Sequence, residues 1–97
     1  DVMIFTEMEK GLLAFYEERY EDARFSLSKV VKKYPSFALA QARLGNTYYK
    51  LKQYSLAKKH WRLALKYKLR DKKLKTAIDN IRDLESTEEQ DKDDEKK

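Results

Sequence analysis

The chemistry open to this chain is set by a short list of side chains. Four carboxylates, Glu17, Glu18, Glu21 and Asp22, crowd one stretch, and paired carboxylates are a common means of general acid–base catalysis. That work requires one acid to be desolvated so that its pKa shifts. These four fall around a predicted helix–helix turn, which offers neither desolvation nor a pocket, so they read as surface charge and helix N-terminal capping. His60 is the single histidine and there is no cysteine, which excludes a multi-histidine metal site, a zinc knuckle, a thiolate nucleophile and a disulfide framework. His60 adjoins Trp61 with no Ser, Cys or acid at a nucleophile–base spacing, and reads as a structural residue on the edge of an outward helix face. No Gly-rich phosphate loop is present. The sequence predicts no enzyme, no metal and no cofactor, and turns attention to binding.

The elements that would carry a binding surface follow from composition. At 97 residues the chain allows one small domain; 41% hydrophobic content gives a thin core, and two Gly and one Pro are too few to punctuate an all-β fold. An all-α protein is predicted. No apolar run approaches the roughly 20 residues of a membrane span, and the opening at Asp1 is unlike the basic start of a signal peptide, so a soluble, cytoplasmic protein is favoured. The missing start Met suggests a processed or excised piece. Charge is uneven: residues 1–49 hold seven Lys/Arg against seven acids, residues 50–75 hold eleven Lys/Arg against Asp71 alone, and residues 85–97 hold seven acids against three lysines. The segment 85–97 has no apolar side chain to offset ordering entropy and is predicted to be disordered.

One internal offset, 34 residues, brings like residues together. Gly11 meets Gly45, Tyr20 meets Tyr54, Ala23 meets Ala57 and Lys32 meets Lys66, while Phe15/Tyr49, Leu27/Trp61, Val30/Ala64 and Val31/Leu65 pair in kind. Each unit reads as a helical hairpin, the first over about 3–33 and the second over about 37–67. In the second, Leu44, Tyr48 and Leu51 share one helix face, as do Ala57, Trp61, Ala64 and Leu65, with Lys52 and Gln53 forming the turn. A Gly inside a helix costs about 1 kcal/mol relative to Ala. Close approach of the partner helix would explain it, with Ala57 filling the space at Gly45 and Ala23 that at Gly11. Pro35 stops the second helix of unit one. Residues 71–84 begin a third unit in which Leu74, Ala77, Ile78, Ile81 and Leu84 form one apolar stripe, and Asp79 replaces the repeat Gly; this predicts a capping helix.

The run LGNTYYK at Leu44 to Lys50, with Tyr54, Ala57, Trp61, Ala64 and Leu65, resembles the tetratricopeptide repeat family. Unit one keeps Gly11, Tyr20, Ala23 and Pro35 but has Glu7 and Lys10 where the family prefers large apolar residues, and unit two has Leu69 where the closing Pro usually falls. The resemblance covers residues 4 to about 70. It implies a right-handed α-solenoid over residues 1–84, with repeats at about 4–37 and 38–71 and a cap at about 71–84. It also implies a non-catalytic scaffold or adaptor that docks a protein or peptide in a concave groove. Carried over position by position, the groove residues are Phe5, Met8, Leu12, Phe15, Tyr16, Leu39, Ala42, Asn46, Tyr49, Lys50, Lys73 and Asn80. Such a groove is apolar at one end and basic at the other, and suits a peptide with a hydrophobic anchor beside an acidic or carboxylate end. Relatives that clamp a terminal carboxylate use Lys and Asn at places taken here by Met8, Leu12 and Arg43, so only Asn46, Lys50 and Lys73 remain in comparable settings. Tyr49 and Asn46 are equally explained as residues kept for helix packing.

Two other surfaces compete. The first helix is apolar around more of its circumference than one neighbour can cover, through Val2, Met3, Ile4, Phe5, Met8, Leu12, Leu13, Phe15 and Tyr16, of which Leu13 alone fits a purely local core role. The rest expect a preceding repeat, a second copy in a self-associated form, or a ligand. Lys58, Lys59, Arg62 and Lys66 lie on the outward side of the fourth helix and define a basic face over residues 50–75. That face offers an alternative function, electrostatic capture of nucleic acid, anionic lipid or an acidic protein. Nucleic acid is disfavoured because no stacking platform or recognised motif accompanies the charge. A plain solvated Lys-rich face is the commoner explanation of such a pattern, and the acidic segment 85–97 could fold back to screen it.

Overall fold

A computed structural model describes residues 1–67 and 72–80, and every element among them is an α-helix. They are α1 (Val2–Tyr16), α2 (Tyr20–Lys33), α3 (Ala38–Lys50), α4 (Tyr54–Lys66) and α5 (Lys72–Asn80). Asp1 starts α1: its Oδ1 accepts from the amides of Met3 (3.1 Å) and Ile4 (3.3 Å), two of the donors a helix start leaves unpaired. α2 carries Glu21 and Asp22 in its first turn and Lys32 and Lys33 in its last, each sign facing the favourable end of the helix dipole. It stops where Tyr34, at φ −128° and ψ 77°, takes the extended geometry that a following Pro35 imposes.

The two hairpins repeat in backbone detail. Glu18 and Lys52, 34 residues apart, both enter the left-handed region at φ 62°. The amides of Glu18 and Arg19 donate back to the carbonyls of Phe15 (3.0 Å) and Ala14 (2.8 Å). Those of Lys52 and Gln53 donate to Tyr49 (3.0 Å) and Tyr48 (2.9 Å). Each turn is thus a paired closure in which one left-handed residue lets the last carbonyls of a helix find donors.

α1 packs on α2 and α3 on α4; α2 packs on α3 to join the hairpins, and α5 lies on α4. Met8, Leu27, Val30, Ala40 and Leu44 form the core at the junction of the hairpins. Burying each large aliphatic side chain there contributes about 2 kcal/mol. A second core inside the α3–α4 hairpin holds Ala42, Ala57, Trp61 and Ala64, and Ala77 and Ile78 of α5 close over it. Both residues belong to the apolar stripe expected of a capping helix. Asp79 is exposed, while the side chain of Leu74, and Ile81, Leu84, Leu69 and the segment 85–97, lie outside the described residues.

Three expectations change in the folded chain. The space at Gly45 is filled by Trp61 and not by Ala57: a Cβ there would fall on the indole, 2.5 Å from Nε1. Likewise Gly11 faces Leu27, whose Cγ would stand 2.7 Å from an added Cβ, and not Ala23. In both hairpins the large side chain one turn further along the partner helix takes the space, while Ala23 and Ala57 are buried beside it. Leu13, assigned to the local core, is 59% exposed. The apolar surplus on α1 is real: Val2, Met3, Phe5 and Tyr16 are all exposed as well.

Candidate partner-binding surfaces

An apolar trough of about 630 Å³ opens along the first hairpin. α1 supplies Ile4, Phe5, Met8 and Leu12, the α2–α3 link supplies Tyr34 and Phe37, and α3 supplies Leu39. Helical spacing places the four α1 residues along one side, and the Pro35 turn swings two aromatic rings across to the other. The link is braced by the amide of Phe37, which donates to the Tyr34 carbonyl at 3.0 Å. Asp1 ties the end of the trough together: its Oδ2 receives Lys33 Nζ at 2.6 Å and Tyr34 OH at 3.1 Å. Asp1 and Glu9 are the charged residues among those lining the trough, and both are acids.

Of the groove residues expected from sequence, Phe5, Met8, Leu12 and Leu39 line this trough. Met8 is chiefly core, at 7% exposed, and Phe5 at 66% is the most open of the four. Ala42 is buried in the α3–α4 core. Phe15 packs edge-on to Tyr16 and Tyr20, with centroids 5.8 and 5.5 Å away, and Tyr16 is exposed. Tyr49 repeats the arrangement against Tyr54 at 5.6 Å and also meets Trp61 at 5.8 Å. The Oδ1 of Asn46 accepts from Trp61 Nε1 at 3.0 Å, which gives it a packing role. Lys50 is exposed. Lys73 and Asn80 line a separate hollow of about 370 Å³ on α5 with Thr76 and Ala77. The apolar and basic ends of the expected groove are therefore distinct places, and Lys50 and Lys73 are not at the rim of the trough. Ile4 comes from the apolar surplus expected on the first helix, while Tyr34 and Phe37 were missed from sequence; their signal is a pair of aromatics bracketing the proline of the link.

His60 does not sit at the edge of an outer face. Its ring stacks on Tyr48 with centroids 5.4 Å apart, and its Nδ1 lies 2.7 Å from Gln41 Oε1. Gln41 donates its Nε2 to the Pro35 carbonyl at 2.8 Å, which orients the amide so that His60 is the donor from Nδ1. Burial first, and the positive charge of Lys59 second, push the imidazole pKa down from 6.5 to about 4. His60 is thus a neutral packing element that links α4 to α3 and, through Gln41, to the Pro35 link. No set of three or more His, Asp or Glu able to hold a metal occurs among the described residues.

The acidic cluster is a set of surface ion pairs. Arg19 reaches Glu17 at 2.7 Å and Asp22 at 3.0 Å, and Arg24 reaches Glu21 at 2.8 Å. Lys29 pairs with Glu7 at 3.7 Å and Lys33 with Asp1 at 2.6 Å. All the ion pairs among the described residues fall within this first hairpin. On α4, Lys59, Arg62 and Lys66 are exposed and Lys58 is half-buried, and the helix contains no acid. Among the described residues Lys59, Arg62 and Lys66 have no carboxylate partner; Lys66 lies 5.5 Å from the Tyr67 ring centroid. No described helix is long and apolar enough to cross a membrane. No protein-family model, curated protein or solved structure matches the chain.

Proposed function

We propose that this chain is a non-catalytic interaction module of the tetratricopeptide type, and that it docks a partner's peptide segment in the trough between α1, the Pro35 link and α3. The observation that carries the reading is the trough itself: large apolar side chains, Phe5 and Leu39 among them, left open to solvent around a cleft of about 630 Å³. Exposed contiguous apolar surface of this kind on a small domain marks an interaction site. The family assignment is supported by the 34-residue recurrence of the glycines, the left-handed turns, the Leu27/Trp61 pair and the Phe15–Tyr20/Tyr49–Tyr54 edge contacts. Asp1 is already taken up by Lys33 and Tyr34, so Glu9 is the lining acid that favours an apolar anchor flanked by Lys or Arg over one flanked by a carboxylate.

The test is selection of binding peptides from a random library, followed by affinity measurement against variants. Selected peptides should carry a large apolar residue next to a cation, and Phe5→Ala with Leu39→Ala should weaken them at least about tenfold, the loss of about 1.4 kcal/mol. Peptides that bind the double variant as well as the parent chain would rule the trough out. A second reading, capture of anionic partners by the basic face of residues 50–75, is favoured by Lys59, Arg62 and Lys66, exposed cations with no carboxylate partner among the described residues. Its mark is steep loss of binding with salt.

A further inference from the structure

We propose that the acidic segment 85–97 of this chain docks on the outward face of α4, where Lys59, Arg62 and Lys66 receive its carboxylates. The proposal rests on the basic face of the second reading and names its occupant; the trough plays no part in it.

Lys59, Arg62 and Lys66 are spaced i, i+3, i+7, which sets them on one exposed stripe about 10 Å long at a rise of about 1.5 Å per residue. Packing within the repeat does not demand Lys59 and Arg62, because the places 34 residues earlier hold Phe25 and Ser28. In the first hairpin four of the six cations, Arg19, Arg24, Lys29 and Lys33, have a carboxylate within 3.7 Å, while Lys10 and Lys32 have none among the described residues. The three on α4 have none among the described residues, while the surplus of acid in the chain, seven carboxylates against three lysines, lies in residues 85–97. Charge complementarity therefore joins the strongly acidic segment to the acid-free stripe of cations on α4.

The tether permits it. α5 lies on α4 through Ala77 and Ile78, which pack against Ala57, Trp61 and Ala64, so the chain leaves Asn80 beside α4. Residues 81–84 can span up to about 14 Å before the first of the seven acids. Single exposed ion pairs are individually weak, so docking is a salt-sensitive equilibrium, which a short tether favours by holding the segment at an effective concentration of about the millimolar range.

The test uses the full chain. In one variant the seven carboxylates of residues 85–97 become amides (Glu85→Gln, Asp91→Asn and likewise); in another, α4 carries Lys59→Gln, Arg62→Gln and Lys66→Gln; a third combines them. Amide NMR shifts should differ between the parent and the neutralised segment chiefly over residues 58–67 at about 50 mM salt, and the differences should collapse at about 0.5 M. Neutralising the segment should tighten binding of a heparin fragment at least about tenfold when α4 is native, and less than about twofold when α4 is substituted. Shift changes spread equally over Lys10, Lys29 and Lys32, or an equal gain in both α4 backgrounds, would mean that net charge alone is at work and would overturn the proposal. Heparin bound through α4 with unchanged affinity would overturn it too, while leaving the second reading intact. If heparin ignores the α4 substitutions altogether, both fail.

Discussion

Gly45 is held by the side chain it faces. A methyl group at this position would add about 1 kcal/mol of helix propensity, yet it would also strike the Trp61 indole, whose Nε1 is fixed by Asn46. Overpacking of a buried ring costs about 1–3 kcal/mol. Gly45→Ala is expected to lower stability by up to about 2 kcal/mol in denaturant unfolding, and Gly11→Ala, against Leu27, to act in the same direction. A gain in stability would show that the helices part to admit the methyl. His60 makes a second prediction at this scale. Its folded pKa of about 4 lies below the ordinary 6.5, so the unfolded chain binds the proton more readily. The neutral ring therefore contributes fully above pH 6.5, and the contribution is lost as pH falls from 6.5 toward 4. Full burial would make the loss about 3 kcal/mol; for this half-buried ring solvent screening cuts it to about 1–2 kcal/mol. Melting curves across that window should show a flatter decline for His60→Gln than for the parent chain.

At the scale of elements, the hairpins are closed by turns whose residues do not suit them. Glu18 and Lys52 both adopt φ 62°, where a side chain costs about 1 kcal/mol and glycine is the common occupant. Lys52→Gly is expected to stabilise the chain by about 0.5–1 kcal/mol and raise its melting temperature by about 4 °C, because the relief of strain exceeds the added freedom of the unfolded chain. Glu18→Gly should give a similar gain. A fall in melting temperature at both positions would mean that the side chains there make contacts worth more than the strain. The same turns set the geometry of the candidate site, since they fix the antiparallel pairing of α1 with α2 and place the Pro35 link against α1.

For the whole molecule the governing feature is the separation of paired from unpaired charge. The ion pairs of the first hairpin are exposed and contribute little each. Residues 50–75 carry eleven Lys/Arg against one acid, and their mutual repulsion opposes compaction. Raising salt from about 50 mM to about 0.5 M shortens the Debye length to a few ångströms and should raise the melting temperature of the parent chain by a few degrees. The rise should be larger in the variant whose segment 85–97 is neutralised, since that chain lacks its own counter-charges. A melting temperature that falls with salt would assign net stabilisation to the ion pairs.

The helices, their order and the 34-residue recurrence were legible in the sequence, because apolar spacing at period 3.6, the proline after Tyr34 and the paired glycines are local signals that need no knowledge of the partner. Ala77 and Ile78 as the closing stripe were legible for the same reason. Which residue meets which was decided only by tertiary packing. A helical period picks a face but not the residue on it that reaches furthest, so Trp61 and Leu27, not Ala57 and Ala23, fill the space at the glycines. The trough depended on the link at Tyr34 and Phe37, where the chain has no period to read. His60 was legible as a structural residue but not in its place, because its partners, Gln41 and Tyr48, come from another helix. The sequence thus determined the helical frame and the charge asymmetry, both properties of residue order, while the trough and the part-buried His60–Gln41–Pro35 connection exist only once two hairpins stand side by side.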